Sequence, residues 1–144
     1  MTKDLIFETN STFDSVNYDK DSDNWNFYFA NKIHVSSTGL WRLIKENKII
    51  IVSLDNGHQF GLPKPLDLVE ITTKQLTGKI IREINVDKNT GDLTLTISEN
   101  IKIQIFITST GYETYEFSIL DKRYIGLGSG EIAILEDGEI NYIS

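Results

Sequence analysis

The sequence predicts a mainly β protein of two pseudo-repeated antiparallel β-meander units, arranged as a sandwich or partly closed barrel and joined by one short α-helix. Three observations predict it. Apolar residues alternate with polar ones over most of the 144 residues, the mark of strands with one face on a core. The alternating runs are separated by polar turns far shorter than the crossovers of about a dozen residues that parallel strands need. Finally, residues 15–31 (SVNYDKDSDNWNFYFAN) are echoed by residues 83–100 (EINVDKNTGDLTLTISEN): Asn17, Asp19 and Lys20 recur as Asn85, Asp87 and Lys88, and after one inserted residue Asn31 meets Asn100. Ser37-Thr38-Gly39 then recurs as Ser109-Thr110-Gly111, and Leu54-Asp55-Asn56-Gly57 meets Leu127-Gly128-Ser129-Gly130. Residues 1–144 are read as one domain, with repeats at about 12–64 and 80–137 and a bridging helix at about 65–77.

In the first unit, the turn Asp21-Ser22-Asp23-Asn24 is built of residues whose side chains bond their own backbone. Trp25, Phe27 and Phe29, alternating with Asn26 and Tyr28, make the strand after it, and Ile33 with Val35 the next. Beyond Ser37-Thr38-Gly39 comes a strand pair, Leu40 to Lys45 and Lys48 to Leu54, joined at Glu46-Asn47. Ile49-Ile50-Ile51-Val52 is apolar on successive residues, which predicts a strand buried on both faces or covered by a helix. Between Pro65 and Gly78, Leu66, Val69 and Leu76 fall at helical spacing, with proline near the start and glycine past the end. Val69, Ile71, Thr72 and Thr73 lower the intrinsic propensity of that helix.

The second unit repeats the plan. Gly91 supplies a positive φ in the turn Asn89-Thr90-Gly91-Asp92, and Leu93, Leu95 and Ile97 alternate with Thr94, Thr96 and Ser98. Ile101, Ile103, Ile105 and Ile107 form the following strand; Tyr112 to Leu120 and Lys122 to Leu127 form a pair, and residues 131–135 read as one strand more.

A chain of this length buries a real core without staples. The absence of cysteine excludes a disulfide scaffold and a thiolate metal site, and fits a reducing compartment. The start Met-Thr-Lys-Asp-Leu-Ile-Phe-Glu is unlike a secretory signal, and no run approaches the roughly 18 apolar residues of a membrane span. The chain is therefore read as soluble and cytoplasmic. Its net charge of −7 is uneven: −4 over residues 1–23, +2 over the middle and −5 over residues 113–144. That distribution lacks the basic footprint of direct nucleic-acid or anionic-membrane binding and suits a basic protein partner.

Four constellations invite a chemical reading. Asp19-Lys20-Asp21-Ser22-Asp23-Asn24 opens like a calcium-binding loop, but Asn24 stands where the sharp turn wants glycine and Ala30 where the bidentate glutamate belongs. The second copy, Asp87-Lys88-Asn89-Thr90-Gly91-Asp92, keeps the turn and loses the ligands, so no metal is assigned. Gly126, Gly128 and Gly130 suggest a phosphate cradle, yet neither a lysine nor a helix follows them. His34 and His58 are the only histidines, and nothing in the sequence brings them together as an acid–base pair. Ser53, Asp55 and His58 hold triad residue types without the glycine-flanked elbow that exposes a nucleophile. No catalytic residue and no cofactor are assigned. Trp25, Phe27, Phe29 and Trp41 are expected in the core; Tyr28, Tyr112, Tyr115 and Tyr124 are expected at the surface, where those beside Glu113 and Glu116 suit a protein interface.

Several strings, Trp41-Arg42-Leu43, Ser53-Leu54-Asp55-Asn56-Gly57-His58-Gln59-Phe60-Gly61-Leu62-Pro63, Gly91-Asp92-Leu93, Gly111-Tyr112-Glu113 and Gly126-Leu127-Gly128-Ser129-Gly130-Glu131, resemble a group of small β-rich bacterial proteins. These are the immunity proteins of polymorphic toxin and contact-dependent growth inhibition systems, and the resemblance covers residues 24–133. It implies a protein without catalysis of its own that binds the toxic domain of a neighbouring cell's effector, often a nuclease with a basic cleft, and blocks it. No binding residue is carried over by the resemblance.

Turn position and charge instead nominate Asp21, Asp23, Asp55, His58, Glu113, Glu116, Glu131 and Asp137 as the toxin-binding residues. Two other functions are compatible with the sequence. One is a carbohydrate or nucleotide held between the sheets by Trp25, Trp41 and the tyrosines; the other is a hydrolase built on His34 and His58.

Overall fold

The computed structural model describes residues 1–144. Strands β1 (Leu5–Asp19), β2 (Asn24–Phe29), β3 (Ile33–Ser37), β4 (Trp41–Lys45) and β5 (Lys48–Val52) precede the helix α1 (Leu68–Leu76). After it come β6 (Ile80–Val86), β7 (Leu93–Ile97), β8 (Ile101–Ile105), β9 (Tyr115–Ile119), β10 (Lys122–Gly126), β11 (Ile132–Glu136) and β12 (Glu139–Ile143). All twelve strands join one antiparallel sheet in the order β12-β11-β10-β9-β3-β2-β1-β6-β7-β8-β4-β5, which is not closed: β12 and β5 are its two ends. The mainly β class with one short helix is thus the observed one.

Alternation sets the strands, and turn geometry sets their pairing. Five hairpins are closed by two residues that both take positive φ: Asn31-Lys32, Glu46-Asn47, Glu99-Asn100, Leu120-Asp121 and Asp137-Gly138. That geometry matches the right-handed twist of the flanking strands. The two copies share one register. Val16 opposes Phe27 as Ile84 opposes Leu95, and Tyr18 opposes Trp25 as Val86 opposes Leu93, each displaced by 68 residues (16 to 84, 27 to 95). At this displacement Asp23, φ 51°, stands where the second copy has Gly91, φ 77°. Over these first two strands of each copy no residue is inserted, so Asn31 corresponds to Glu99 and Lys32 to Asn100, correcting the alignment expected from the letters.

The copies are also exchanged. A simple meander would continue from β3 into β4, but β3 pairs with β9 and β8 pairs with β4. The link Thr38-Gly39-Leu40 carries the chain from one half of the sheet to the other, and Thr38 N–H donates to the Thr114 carbonyl at 2.9 Å as it passes. Gly39 is required there, since a Cβ would collide with the Thr114 methyl and approach the Phe106 carbonyl. Long β1 belongs to both halves, pairing with β6 through Leu5–Thr12 and with β2 through Phe13–Asp19. Register shifts between Glu8 and Ser11 and between Phe13 and Ser15 mark where it bends.

A single apolar cluster lies between the halves. Trp41 of β4 meets Trp25 and Phe27 of β2 edge to face, with ring centroids 5.1 and 5.0 Å apart, and Phe7 of β1 meets Phe117 of β9 at 5.8 Å. Helix α1 adds Leu68 and Leu76 to this cluster and buries Thr72 beside them. It begins at Leu68, later than the proline suggested, because the Asp67 carboxylate accepts the Glu70 N–H at 3.1 Å and caps it there.

Other expectations change. β5 is buried on neither face over its first half: it is a sheet edge, with Ile49 and Ile50 exposed. Tyr115 and Tyr124 lie in the core while Tyr112 is 82 % exposed. Residues 5–11 and the whole of β12 are strands that the alternation pattern did not single out.

Candidate functional site

In the half of the sheet running from β1 to β12, the inward set includes Trp25, Phe27, Val35, Phe117 and Tyr124. Period two then directs the intervening residues outward. Register brings them into rows across seven strands. One row reads Asn17, Asn26, Ser36, Glu116, Ile125, Ala133 and Tyr142. The next reads Ser15, Tyr28, His34, Ser118, Arg123, Leu135 and Ile140. From β1 to Arg123 of β10 the face is polar; beyond that residue it turns apolar, with Ala133 buried and Ile140 and Tyr142 more than half exposed.

The polar part is a connected network. His34 Nε2 lies 2.9 Å from Asn26 Oδ1, and Asn26 Nδ2 donates to Asn17 Oδ1 at 3.1 Å. Because the Asn26 nitrogen is committed to Asn17, its oxygen is the acceptor, which assigns the proton to His34 Nε2. Tyr28 stacks on the imidazole with centroids 4.6 Å apart and planes 7° apart. Burial lowers the His34 pKa below its ordinary value, and the nearby Glu116 carboxylate only partly offsets this. Arg123 Nε donates to Glu116 Oε1, and that contact with the carboxylate holds the guanidinium pKa up.

Beside this network lies an open hollow of about 290 Å³ lined chiefly by Ser22, Asn24, Ser36, Thr38, Glu113 and Glu116. Ser36 Oγ donates to Asn24 Oδ1 at 2.8 Å across its floor. Glu113 is exposed at the rim. The arrangement offers carboxylate, amide and hydroxyl acceptors in one place, as a cationic group entering from outside would need.

The sequence-nominated residues divide by position. Asp21 and Asp23 flank Ser22 of the hollow, and Glu113 and Glu116 line it. Asp23 has a structural duty too, because its Oδ1 accepts the Tyr18 hydroxyl at 2.6 Å. Asp137 lies in the β11–β12 turn, lining a second hollow of about 290 Å³ with Arg123, Leu135 and Ile140. Glu131 leads into β11, its carbonyl accepting the Leu127 N–H at 2.8 Å. Asp55 and His58 do not join them: they follow β5, at the other end of the sheet, where the Asp55 carbonyl accepts the His58 N–H at 3.0 Å and His58 stacks on Phe60. Sequence reasoning expects Tyr28 at the surface without nominating it for binding, and misses Asn26, Arg123, Leu135, Ile140 and Tyr142. Period-two spacing places each on an outward face, but only the exchange that sets β3 beside β9 makes them one surface.

The other constellations have structural occupations. Asp87 Oδ1 accepts the N–H groups of Asn89 and Thr90, both at 2.8 Å, and the equivalent Asp19 Oδ1 accepts that of Asp21 at 3.0 Å. Gly126 leaves room for the Tyr115 ring, Gly128 for the Thr110 backbone and Gly130 for the Thr90 carbonyl. His34 and His58 have separate partners on separate elements. Trp25 and Trp41 are packed against each other in the core, so neither is available to stack on a ligand. No three His, Asp or Glu side chains are grouped so as to hold a metal ion, and no helix is long and apolar enough to cross a membrane. Compared with known proteins, the chain matches no protein-family model, no curated protein and no solved structure.

Proposed function

We propose that this is a cytoplasmic immunity protein, which neutralises a cognate toxin domain with a basic surface, a nuclease in the first instance, by stoichiometric occlusion. The observation that supports the reading most is the juxtaposition of a hollow lined by Glu113 and Glu116, with Asp21 and Asp23 next to its Ser22 in the chain, and an apolar strip on the same sheet face. Stable protein interfaces combine an apolar, aromatic-bearing centre with a polar rim. The net charge of −7 adds long-range attraction to a cationic partner. The resemblance to immunity proteins supplies the partner class.

The test mixes purified protein with the toxin domain encoded immediately upstream. A one-to-one complex that blocks toxin activity is expected, with affinity falling about tenfold or more between low and physiological salt, as for electrostatically steered pairs. Asp21→Lys combined with Glu113→Lys should weaken it further without unfolding the protein, since both positions are exposed. Absence of any complex at low salt would sink the reading.

A further inference from the structure

The two ends of the sheet are not equally protected. β5 starts with Lys48 and carries a bulge: Leu43 opposes Ile51 and Ile44 opposes Ile49, leaving Ile50 without a partner. Lysines and bulges are the devices that keep an edge strand from pairing with another chain. β12 has neither. Its register with β11 is regular throughout, from Glu136 opposite Glu139 to Ile132 opposite Ile143, and its sequence EINYI contains no lysine, proline or glycine.

The hairpin geometry says which backbone groups are free. Asp137 and Gly138 form a two-residue turn of positive φ, so Glu136 and Glu139 are the closing pair that exchanges both hydrogen bonds. Alternation then directs the N–H and C=O of Asn141 and Ile143 toward β11, and those of Ile140 and Tyr142 away from it. β12 is the last strand of the sheet, so no further strand meets these groups. The two residues that present them also carry large exposed apolar side chains, at 53 % and 62 % exposure.

Charge selects the occupant. Residues 131–144 hold Glu131, Glu136, Asp137 and Glu139 and no lysine or arginine. The cations of adjacent β10 are already engaged, Lys122 with Glu136 and Arg123 with Glu116. With Glu136 paired to Lys122, a second copy would set its Glu131, Asp137 and Glu139 against the same three acids, whereas a cationic strand would complement them. We propose that the free edge of β12 receives an extended cationic segment of the partner protein as a thirteenth strand, its apolar residues against Ile140 and Tyr142 and its lysines or arginines facing Asp137 and Glu139. This deepens the proposed function and rests on its premise that the protein acts by binding another protein.

The test uses the whole protein and a ten-residue peptide alternating valine and lysine, with a valine–glutamate peptide as its counterpart. On adding the first, amide exchange at Ile140 and Tyr142 should slow by about tenfold or more, and the effect should weaken with salt. Tyr142→Pro should abolish it while leaving the fold intact, because the amide it removes points away from β11; Tyr142→Phe should preserve it. Equal binding of the valine–glutamate peptide, or protection confined to other residues, would overturn the proposal. So would protection of Ile140 and Tyr142 that rises with protein concentration in the absence of peptide, which would assign the edge to a second copy. The toxin domain separates this idea from the one beneath it. Equal toxin binding by wild type and Tyr142→Pro refutes the added strand alone; failure of toxin to bind a protein whose β12 takes the valine–lysine peptide refutes the toxin reading alone.

Discussion

The Tyr115 hydroxyl donates to the Gly91 carbonyl at 2.8 Å, a buried hydrogen bond between β9 and the β6–β7 turn. The Tyr115 ring reaches that turn by lying over Gly126, where any Cβ would overlap it. Glycine at 126 is therefore a packing requirement, and the glycine-rich segment it opens is a seat for an aromatic ring. Tyr115→Phe removes the donor and leaves a buried carbonyl without a partner, which should cost about 1–3 kcal/mol. Gly126→Ala should cost at least as much, because ring or strand must move. Burial, helped by the Asp92 carboxylate, raises the Tyr115 pKa above its ordinary value of 10.0. The folded state thus holds this proton more tightly than the unfolded chain. The stability it contributes is complete below about pH 10 and is lost as pH rises further. Denaturant melts of wild type and Tyr115→Phe should converge across that alkaline range; parallel curves would show that the hydroxyl is not the cause.

Asp87 and Asp19 occupy equivalent places, yet Asp87 accepts two backbone N–H groups and Asp19 one. The Asp87 pKa is lowered chiefly by the Thr90 N–H and then by that of Asn89. Asp87→Ala should therefore lower the melting temperature more than Asp19→Ala. Because the folded pKa is depressed, Asp87 stabilises above the ordinary value of 3.8 and loses that effect as pH falls below it. The difference between wild type and Asp87→Ala should shrink between about pH 4 and pH 2; a difference unchanged by acid would contradict the assignment.

How much of this was legible beforehand depends on the range of the interaction. Alternation directs Trp25, Phe27 and Phe29 into the core, and Asp-Lys repetition marks the paired turns, because both signals are local. Tyr115 was placed wrongly: local pattern cannot show that Gly126, 11 residues on, vacates space for its ring. Ile49 and Ile50 were misplaced for the complementary reason, since an apolar run does not reveal that its strand ends the sheet. Of the nominated residues, Glu113 and Glu116 line one hollow with Ser22, the neighbour of Asp21 and Asp23, because β9 of one copy inserts beside β3 of the other. That exchange is a long-range choice with no local signature, and it is also what leaves Asp55 and His58 elsewhere.

Leu120 is the first turn residue of the β9–β10 hairpin, at φ 53° and 80 % exposed. Its counterparts in the other hairpins are Asn31, Glu46, Glu99 and Asp137, all polar. A left-handed conformation costs a leucine about 1–2 kcal/mol, and asparagine tolerates it far better. Leu120→Asn should therefore stabilise the protein by about 0.5–1 kcal/mol, read as a higher midpoint in urea with unchanged slope. Destabilisation would mean that the exposed side chain makes contacts worth more than the backbone strain.

His34 joins the polar network through Asn26, one row away from Ser36 and Glu116 of the acid-lined hollow. Burial is the larger influence on its pKa and lowers it, the Glu116 carboxylate raises it, and the net shift is downward. The folded protein therefore disfavours the imidazolium relative to the unfolded chain. As pH falls below about 6.5 the unfolded state takes up the proton first, and stability must decline. His34→Gln keeps a donor in reach of Asn26 Oδ1 and cannot titrate, so its stability should be flat between about pH 7.5 and 5.5 where that of wild type falls. The carboxylates with lowered pKa values, Asp87 and Glu99, titrate below this interval and do not confound it. Equal slopes for the two proteins over that interval would show that His34 is solvated as freely in the folded state as in the unfolded chain, and that the network around Asn26 does not hold it neutral.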